Sequence, residues 1–198
     1  MDLAAAAAST TFVRSALIGA VAMFCILPTL LFFNIYAQDA KELRLTPVEA
    51  GLMLVPMSAG LFGLARLAPR LVRSCTPAKA IGAALGAVVV AAVLIGAAAL
   101  SGGQGLLLVG LLLLGAGLAV PYATTPRLAL GALPASAEGR SSGLINACTF
   151  LGGSLGVSFG ALVYPLGGLP AVMGLVAAAA LLGIIAAQGL AGQDADEP

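Results

Sequence analysis

Along this chain apolar positions run together rather than alternate. Six stretches, at about 16–36, 48–68, 80–100, 106–125, 143–163 and 169–190, are almost wholly apolar, and most of the charged residues collect in the short gaps between them. Each has the ~20 residues that a helix rising ~1.5 Å per residue needs to cross a ~30 Å hydrocarbon layer. In lipid the backbone must satisfy its own hydrogen bonds, so long apolar runs predict helices, whereas barrel strands would be shorter and alternate. The pattern predicts an all-α integral membrane protein with six transmembrane helices. A short cytoplasmic tail covers 1–14, a six-helix membrane domain 15–190 and an acidic cytoplasmic tail 191–198. Arg14 ahead of the first run looks like the start of a secretory signal. That run exceeds the ~7–15 residues of a signal core and further spans follow it, so it is read as a retained helix.

Composition agrees with a membrane setting. The 198 residues are 61% hydrophobic and 9% charged, against roughly 25% charged in a soluble domain. A net charge of +1 implies neither nucleic acid nor an acidic partner; the partner expected from the apolar spans is membrane lipid. Histidine is absent, which removes the usual general base and metal ligand. Cys25, Cys75 and Cys148 are scattered without a CxxC, so neither a zinc site nor a disulfide framework is expected. No metal or cofactor is expected, and nothing resembles the nucleophile–base pair of an enzyme.

Basic residues orient the spans. With the N-terminus in the cytoplasm, the inner segments carry Arg14, Arg66, Arg70, Arg73, Lys79, Arg127 and Arg140, and the outer ones only Lys41 and Arg44. Seven against two satisfies the positive-inside rule, placing both termini inside. Arg66, Arg70, Arg73 and Lys79 form a basic cytoplasmic loop. Thr46-Pro47-Val48-Glu49 reads as a capping box with proline at the first helical position, and Thr76-Pro77 repeats the start signal. Glu49 is better explained by capping than as an outward-facing proton site.

Polarity is shared unevenly. The third span has no polar side chain and the sixth only Gln188, whereas the first, fourth and fifth carry Asn34, Tyr36, Tyr122, Thr124, Thr125, Ser142, Asn146 and Thr149, with Ser154 and Ser158 besides. Polar groups facing lipid are costly, so the first, fourth and fifth spans are expected inside, the third and sixth against lipid, the second between. The eight residues from Asn34 to Thr149 are the candidates for a substrate pathway. On the fifth span Ser142, Asn146, Thr149 and Gly153 fall within about 60° of one another at ~100° per residue. Gly152, Gly156 and Gly160 form an adjoining small-xxx-small stripe for close helix packing. Gly117 and Pro121 share a face of the fourth span, where Pro121 should loosen the turn. All eight acidic residues lie in loops, ends or the cap of the second span, so no carboxylate of a proton relay sits at mid-membrane depth.

Several short motifs are then similar to one family. Gly115-Ala116-Gly117-Leu118-Ala119-Val120-Pro121, Ala132-Leu133-Pro134, Gly139-Arg140-Ser141-Ser142-Gly143-Leu144-Ile145-Asn146 and Leu151-Gly152-Gly153-Ser154-Leu155-Gly156 follow one another in order. Tyr36-Ala37-Gln38, Thr46-Pro47-Val48-Glu49-Ala50-Gly51-Leu52 and Val55-Pro56 precede them. The chain resembles the C-terminal six-helix half of a major facilitator superfamily transporter, in its fourteen-helix drug/proton antiporter branch, over about 12–190. The resemblance implies two six-helix halves with substrate bound between them at mid-membrane, of which this chain matches the second. The absent first half usually carries the acidic coupling residues. Two departures stand out: Arg73 lies where the family's basic loop has an aspartate, and Thr149-Phe150 replaces an Arg-Gln.

The function this implies is efflux of small hydrophobic or amphipathic solutes across the plasma (inner) membrane by alternating access. The partner would be a matching N-terminal six-helix half or a second copy of the chain. The rival reading is a non-transporting remnant, or an accessory bundle that binds partner helices.

Overall fold

The computed structural model describes residues 10–68, 76–131 and 138–191. Among these the chain is helical throughout apart from short turns, in the order α1 (Thr10–Gln38), α2 (Pro47–Met53), α3 (Val55–Ala65), α4 (Pro77–Ser101), α5 (Gln104–Gly131) and α6 (Glu138–Ala191). Five helical stretches are long and apolar enough to cross a membrane: α1, α2 with α3, α4, α5 and α6.

One break interrupts a stretch that the apolar pattern reads as continuous, and a second falls in the gap it leaves at 164–168 between the fifth and sixth spans. The second span divides at Leu54, whose φ of −85° and ψ of −9° separate α2 from α3. Pro56 lies at the start of α3; having no N–H, it cannot donate to a carbonyl of the preceding turn. In α6 the backbone leaves helical geometry at Gly167 and Gly168, the latter at φ +60° and ψ −149°, a region open essentially to glycine alone. Contacts on either side reveal a reversal. Before the break, Gly152, Gly156 and Gly160 lie against Ala20, Phe24 and Phe32 of α1, both sets rising together. After it, Val176, Gly183 and Gly189 meet Cys25, Val21 and Arg14, in falling order. The first arm of α6 therefore runs parallel to α1 and the second antiparallel.

Other turns follow from their residues. α2 starts at the expected capping box: Thr46 N–H donates to Glu49 Oε2 at 2.8 Å, and Glu49 N–H to Thr46 Oγ1 at 3.4 Å. Thr76 stands at the N-cap of α4 before Pro77, but its side chain caps no N–H. Gly102, at φ +71°, ends α4 with its N–H on the Ala98 carbonyl and turns the chain into α5. At the other end of the sequence α1 begins at Thr10, and α5 continues beyond its predicted end, through Pro121 and Pro126, to Gly131.

Packing relies on glycine wherever helices approach closest. A Cβ on Gly117 would meet the Ala84 carbonyl oxygen of α4 at 2.7 Å, and one on Gly110 would meet Ile95 Cγ1 at 2.7 Å. Gly115 lies against the Met57 carbonyl of α3, and Gly60 against α5 at Leu112 and Ala116. The main core joins α1, α4, α5 and the second arm of α6 through Phe33, Val88, Ile95, Leu111, Leu114, Val172 and Met173. A second layer, with Ile18, Ala68, Ile81, Leu85, Val120 and Ala187, closes the end that carries Arg14, Arg66, Lys79 and Arg127. Lys41 and Arg44 lie at the opposite end.

The expectation that the third and sixth spans lie outermost is corrected here. α1 and α5 bury the largest share of their residues and 47–65 the smallest. α4 buries a full face, from Ile81 through Leu85 and Val88 to Ile95, and the second arm of α6 buries Leu169, Val172, Met173, Val176 and Ala180. The first arm, counted as inside for its polarity, leaves Phe150, Leu151, Leu155, Phe159 and Leu162 exposed. The reason is that van der Waals packing, not polarity, draws helices together where the surroundings are as apolar as the side chains.

Candidate functional site

The structure sorts the eight pathway candidates into three kinds. Thr124 and Thr125 are buried in α5, and each hydroxyl donates to a carbonyl one turn back, Val120 at 2.6 Å and Pro121 at 2.7 Å. Tyr36 is buried near the far end of α1. The polarity of the two threonines is thus largely consumed within their own helix. Asn34, Ser142 and Thr149 are half-buried. Asn34 Nδ2 donates to the Leu30 carbonyl at 3.0 Å, while Gln38 Nε2 donates to Asn34 Oδ1 at 3.4 Å. Thr149 Oγ1 donates to the Ile145 carbonyl at 2.8 Å. Tyr122 and Asn146 are exposed.

Thr125 and Thr149 come together across α1. A Cβ on Gly19 would meet Thr149 Oγ1 at 3.2 Å and Thr125 Oγ1 at 3.3 Å, so glycine there lets α5 and the first arm of α6 close on α1. One turn earlier on α1, Ser15 is fully buried and its Oγ has no hydrogen-bond partner. A buried hydroxyl without a partner costs free energy, and this one lies beside the Thr125–Thr149 junction. Sequence reading passed over Ser15; its i, i+4 relation to Gly19 was the available signal. Polarity counting likewise missed Thr29, fully buried with its hydroxyl on the Cys25 carbonyl at 2.7 Å.

Around these groups the surface is open at two levels. Leu31, Asn34, Ile35, Gln38 and Asp39 border a shallow depression of about 370 Å³ at the end of α1 away from the basic residues. Tyr122 stands 47% exposed on α5, one turn deeper than the Thr125–Thr149 junction, and Asn146 lies one turn nearer the basic end. Phe32 stacks on Tyr164 with ring centroids 5.1 Å apart, tying the C-terminal ends of α1 and of the first arm of α6 together.

The proposed packing residues lie at helix contacts. Gly152, Gly153 and Gly156 face Ala20, Met23 with Leu27, and Phe24, and Gly160 faces the Phe32 ring. Gly117 faces α4, and Pro121 is buried in α5. In the basic loop, Arg66 and Lys79 are exposed; Arg70 and Arg73 lie outside the described residues, as do Cys75 and both acidic-tail aspartates.

No family model matches the chain. It is similar to proteins described as "Drug efflux pump JefA" from two Mycobacterium tuberculosis strains, CDC 1551 / Oshkosh and ATCC 25618 / H37Rv. Each is 33% identical over 142 residues, covering 70% of this chain and 27% of the relative. The chain thus spans about a quarter of the length of the curated relatives it matches. With five helices able to cross a bilayer, the similarity supports a transporter-like, multi-pass membrane protein.

Proposed function

We propose that the chain forms the C-terminal six-helix half of a major-facilitator-type carrier that exports small hydrophobic or amphipathic solutes by alternating access across the plasma membrane. The observation that carries this reading is the similarity to drug efflux pumps over 142 residues, and the geometry fits it. Counting the α6 reversal at Gly167–Gly168 as a membrane turn makes six crossings. With Arg14, Arg66, Lys79 and Arg127 at one end of the bundle, the positive-inside rule favours that end as the cytoplasmic one.

The second and fifth spans leave Val48, Leu52, Val55 and Phe62, and Phe150, Leu151 and Leu155, exposed. These faces suit contact with a matching N-terminal six-helix bundle or a second copy of this chain. Tyr122 and Asn146 would line the solute path between the halves, with Asn34 nearer the outer mouth. Thr124, Thr125 and Tyr36 would support its walls.

Transport is tested with the chain expressed together with a matched first half, in cells lacking other pumps, by dye and drug efflux. Asn146→Leu should abolish or re-specify efflux while the protein inserts and keeps its detergent stability, since an exposed amide loses mainly water contacts. Were the residue only interhelical glue, the same change would cost about 0.6 kcal/mol of stability and leave the substrate profile unchanged; that outcome removes it from the path. Robust efflux by a demonstrated monomer of this chain would overturn the half-carrier reading.

A further inference from the structure

At the basic end of the bundle α3 and α4 both pack on α5 but do not close on each other. Between them lies a crevice of about 460 Å³, lined among others by Leu64, Ala83, Ala87, Leu113 and Ala116, with Lys79 at its end. The space exists because α4 presents alanines where larger residues would fill it; Ala83 itself is exposed. From Lys79 to Ala87 is eight residues, so the crevice runs about 12 Å along α4 at ~1.5 Å per residue. It leads from the charged end of the helix into the apolar layer.

Such a crevice does not stay empty. An unfilled gap forfeits the dispersion contacts of its walls, and water is not held without polar partners, of which these walls offer almost none. Its size selects the occupant. A single helical turn, with a diameter of ~10–12 Å and a pitch of 5.4 Å, takes up roughly 400–600 Å³, so a partner helix does not fit along it. A flexible hydrocarbon chain does. Among the described residues Lys79 is the one charged side chain of the lining, and Arg66 is exposed at the same end. The occupant therefore joins an apolar chain to an anionic head about one helical turn away. Basic pockets between membrane helices hold lipid headgroups in this way.

We propose that this crevice is a binding site for an anionic phospholipid, with an acyl chain along Ala83 and Ala87 and the phosphate paired with Lys79. The proposal rests on the membrane setting alone and not on the transport reading.

The test uses the full chain purified in neutral detergent, stripped of lipid and titrated with phosphatidylglycerol, phosphatidylcholine or inorganic phosphate. Bound lipid is counted by native mass spectrometry and thermal unfolding is followed in parallel. Phosphatidylglycerol should bind more tightly than phosphatidylcholine. Lys79→Gln should weaken phosphatidylglycerol about fivefold and phosphatidylcholine, whose choline cation offsets its phosphate, by less, whereas Lys79→Arg should retain the preference. Ala83→Phe, from an exposed position, should fill the crevice and reduce binding of both lipids. Lys41→Gln, at the opposite end, should change neither. Equal affinity of the native chain for the two lipids, an unaltered preference in Lys79→Gln, or stabilisation by inorganic phosphate equal to that by phosphatidylglycerol would each overturn the proposal.

Discussion

Replacing Gly156 by alanine adds one methyl group to the first arm of α6, and the structure fixes where it goes. Its Cβ would stand 2.5 Å from the Phe24 carbonyl oxygen and 3.0 Å from Phe24 Cα. The first distance is 0.9 Å short of the 3.4 Å at which ordinary contact begins. Both neighbours are backbone, so no flexible side chain can move aside; the two helices must separate. Gly152 makes a similar approach one turn away, with Ala20 Cα 2.6 Å from the site of its Cβ, so the separation spreads along the contact. A gap of 0.5–1 Å forfeits a quarter to a half of each atomic contact, and overpacking of this kind typically costs ~1–3 kcal/mol. Alanine's better helix propensity returns ~0.5–1 kcal/mol, so Gly156→Ala should range from neutral to about 2.5 kcal/mol less stable. Gly174 is the control. It is exposed on the second arm with nothing within 4 Å of its Cβ position, so Gly174→Ala should be neutral or stabilise by up to ~1 kcal/mol. Unfolding of the purified variants in detergent, with folded yield by size exclusion, measures the difference. Equal stability of the two variants would refute the reasoning that the glycine stripe serves helix approach.

Two further expectations concern the ends of the bundle. Glu49→Gln should retain both stability and efflux in the assembled carrier, because the amide oxygen can still accept from Thr46 N–H, whereas Glu49→Ala should lower stability with the lost hydrogen bond; loss of efflux in a stable Glu49→Gln protein would instead identify a proton site. Cys75 should react with a membrane-impermeant thiol reagent in inverted membranes and not in intact cells, as the basic asymmetry requires; labelling from outside would reverse the orientation.

Which parts of this architecture can be read from the sequence follows from what each part depends on. Helices long enough for a bilayer show directly as apolar runs, because length and backbone satisfaction leave no other structure for them. Thr46-Pro47-Val48-Glu49 folds as its letters indicate, since a capping box is local. The break at Leu54 was accessible in principle through Pro56, and the reversal at Gly167–Gly168 lies in the 164–168 gap between the fifth and sixth apolar runs. Which faces are buried was not accessible in this way. Polarity separates core from water, but in a membrane the outside is as apolar as the core, so Ala84 and Val88 on α4 look no different from residues against lipid. The glycines are more informative: Gly110, Gly115, Gly117, Gly152 and Gly156 all lie at helix contacts.

Polar residues mislead for a second reason. In a helix a threonine hydroxyl can donate to the carbonyl one turn back, and Thr29, Thr124, Thr125 and Thr149 all do so. Each hydroxyl hydrogen is thereby used within its own helix, and a residue that looks like a solute contact becomes part of a wall. Asparagine and tyrosine keep more of their capacity outside the helix, which is why Asn146 and Tyr122, both exposed, remain the side chains best placed to meet a solute. Ser15 is the exception among the small hydroxyls, buried without a partner beside Gly19. Under the transport proposal the fifth span would join two functions on adjoining faces. Its glycines bring it close enough to α1 to hold a fixed distance, and that fixed distance sets where Asn146 stands. A solute path built this way depends on the packing stripe as much as on the polar one, so a change in substrate profile is expected from either face, and only the accompanying change in stability separates them.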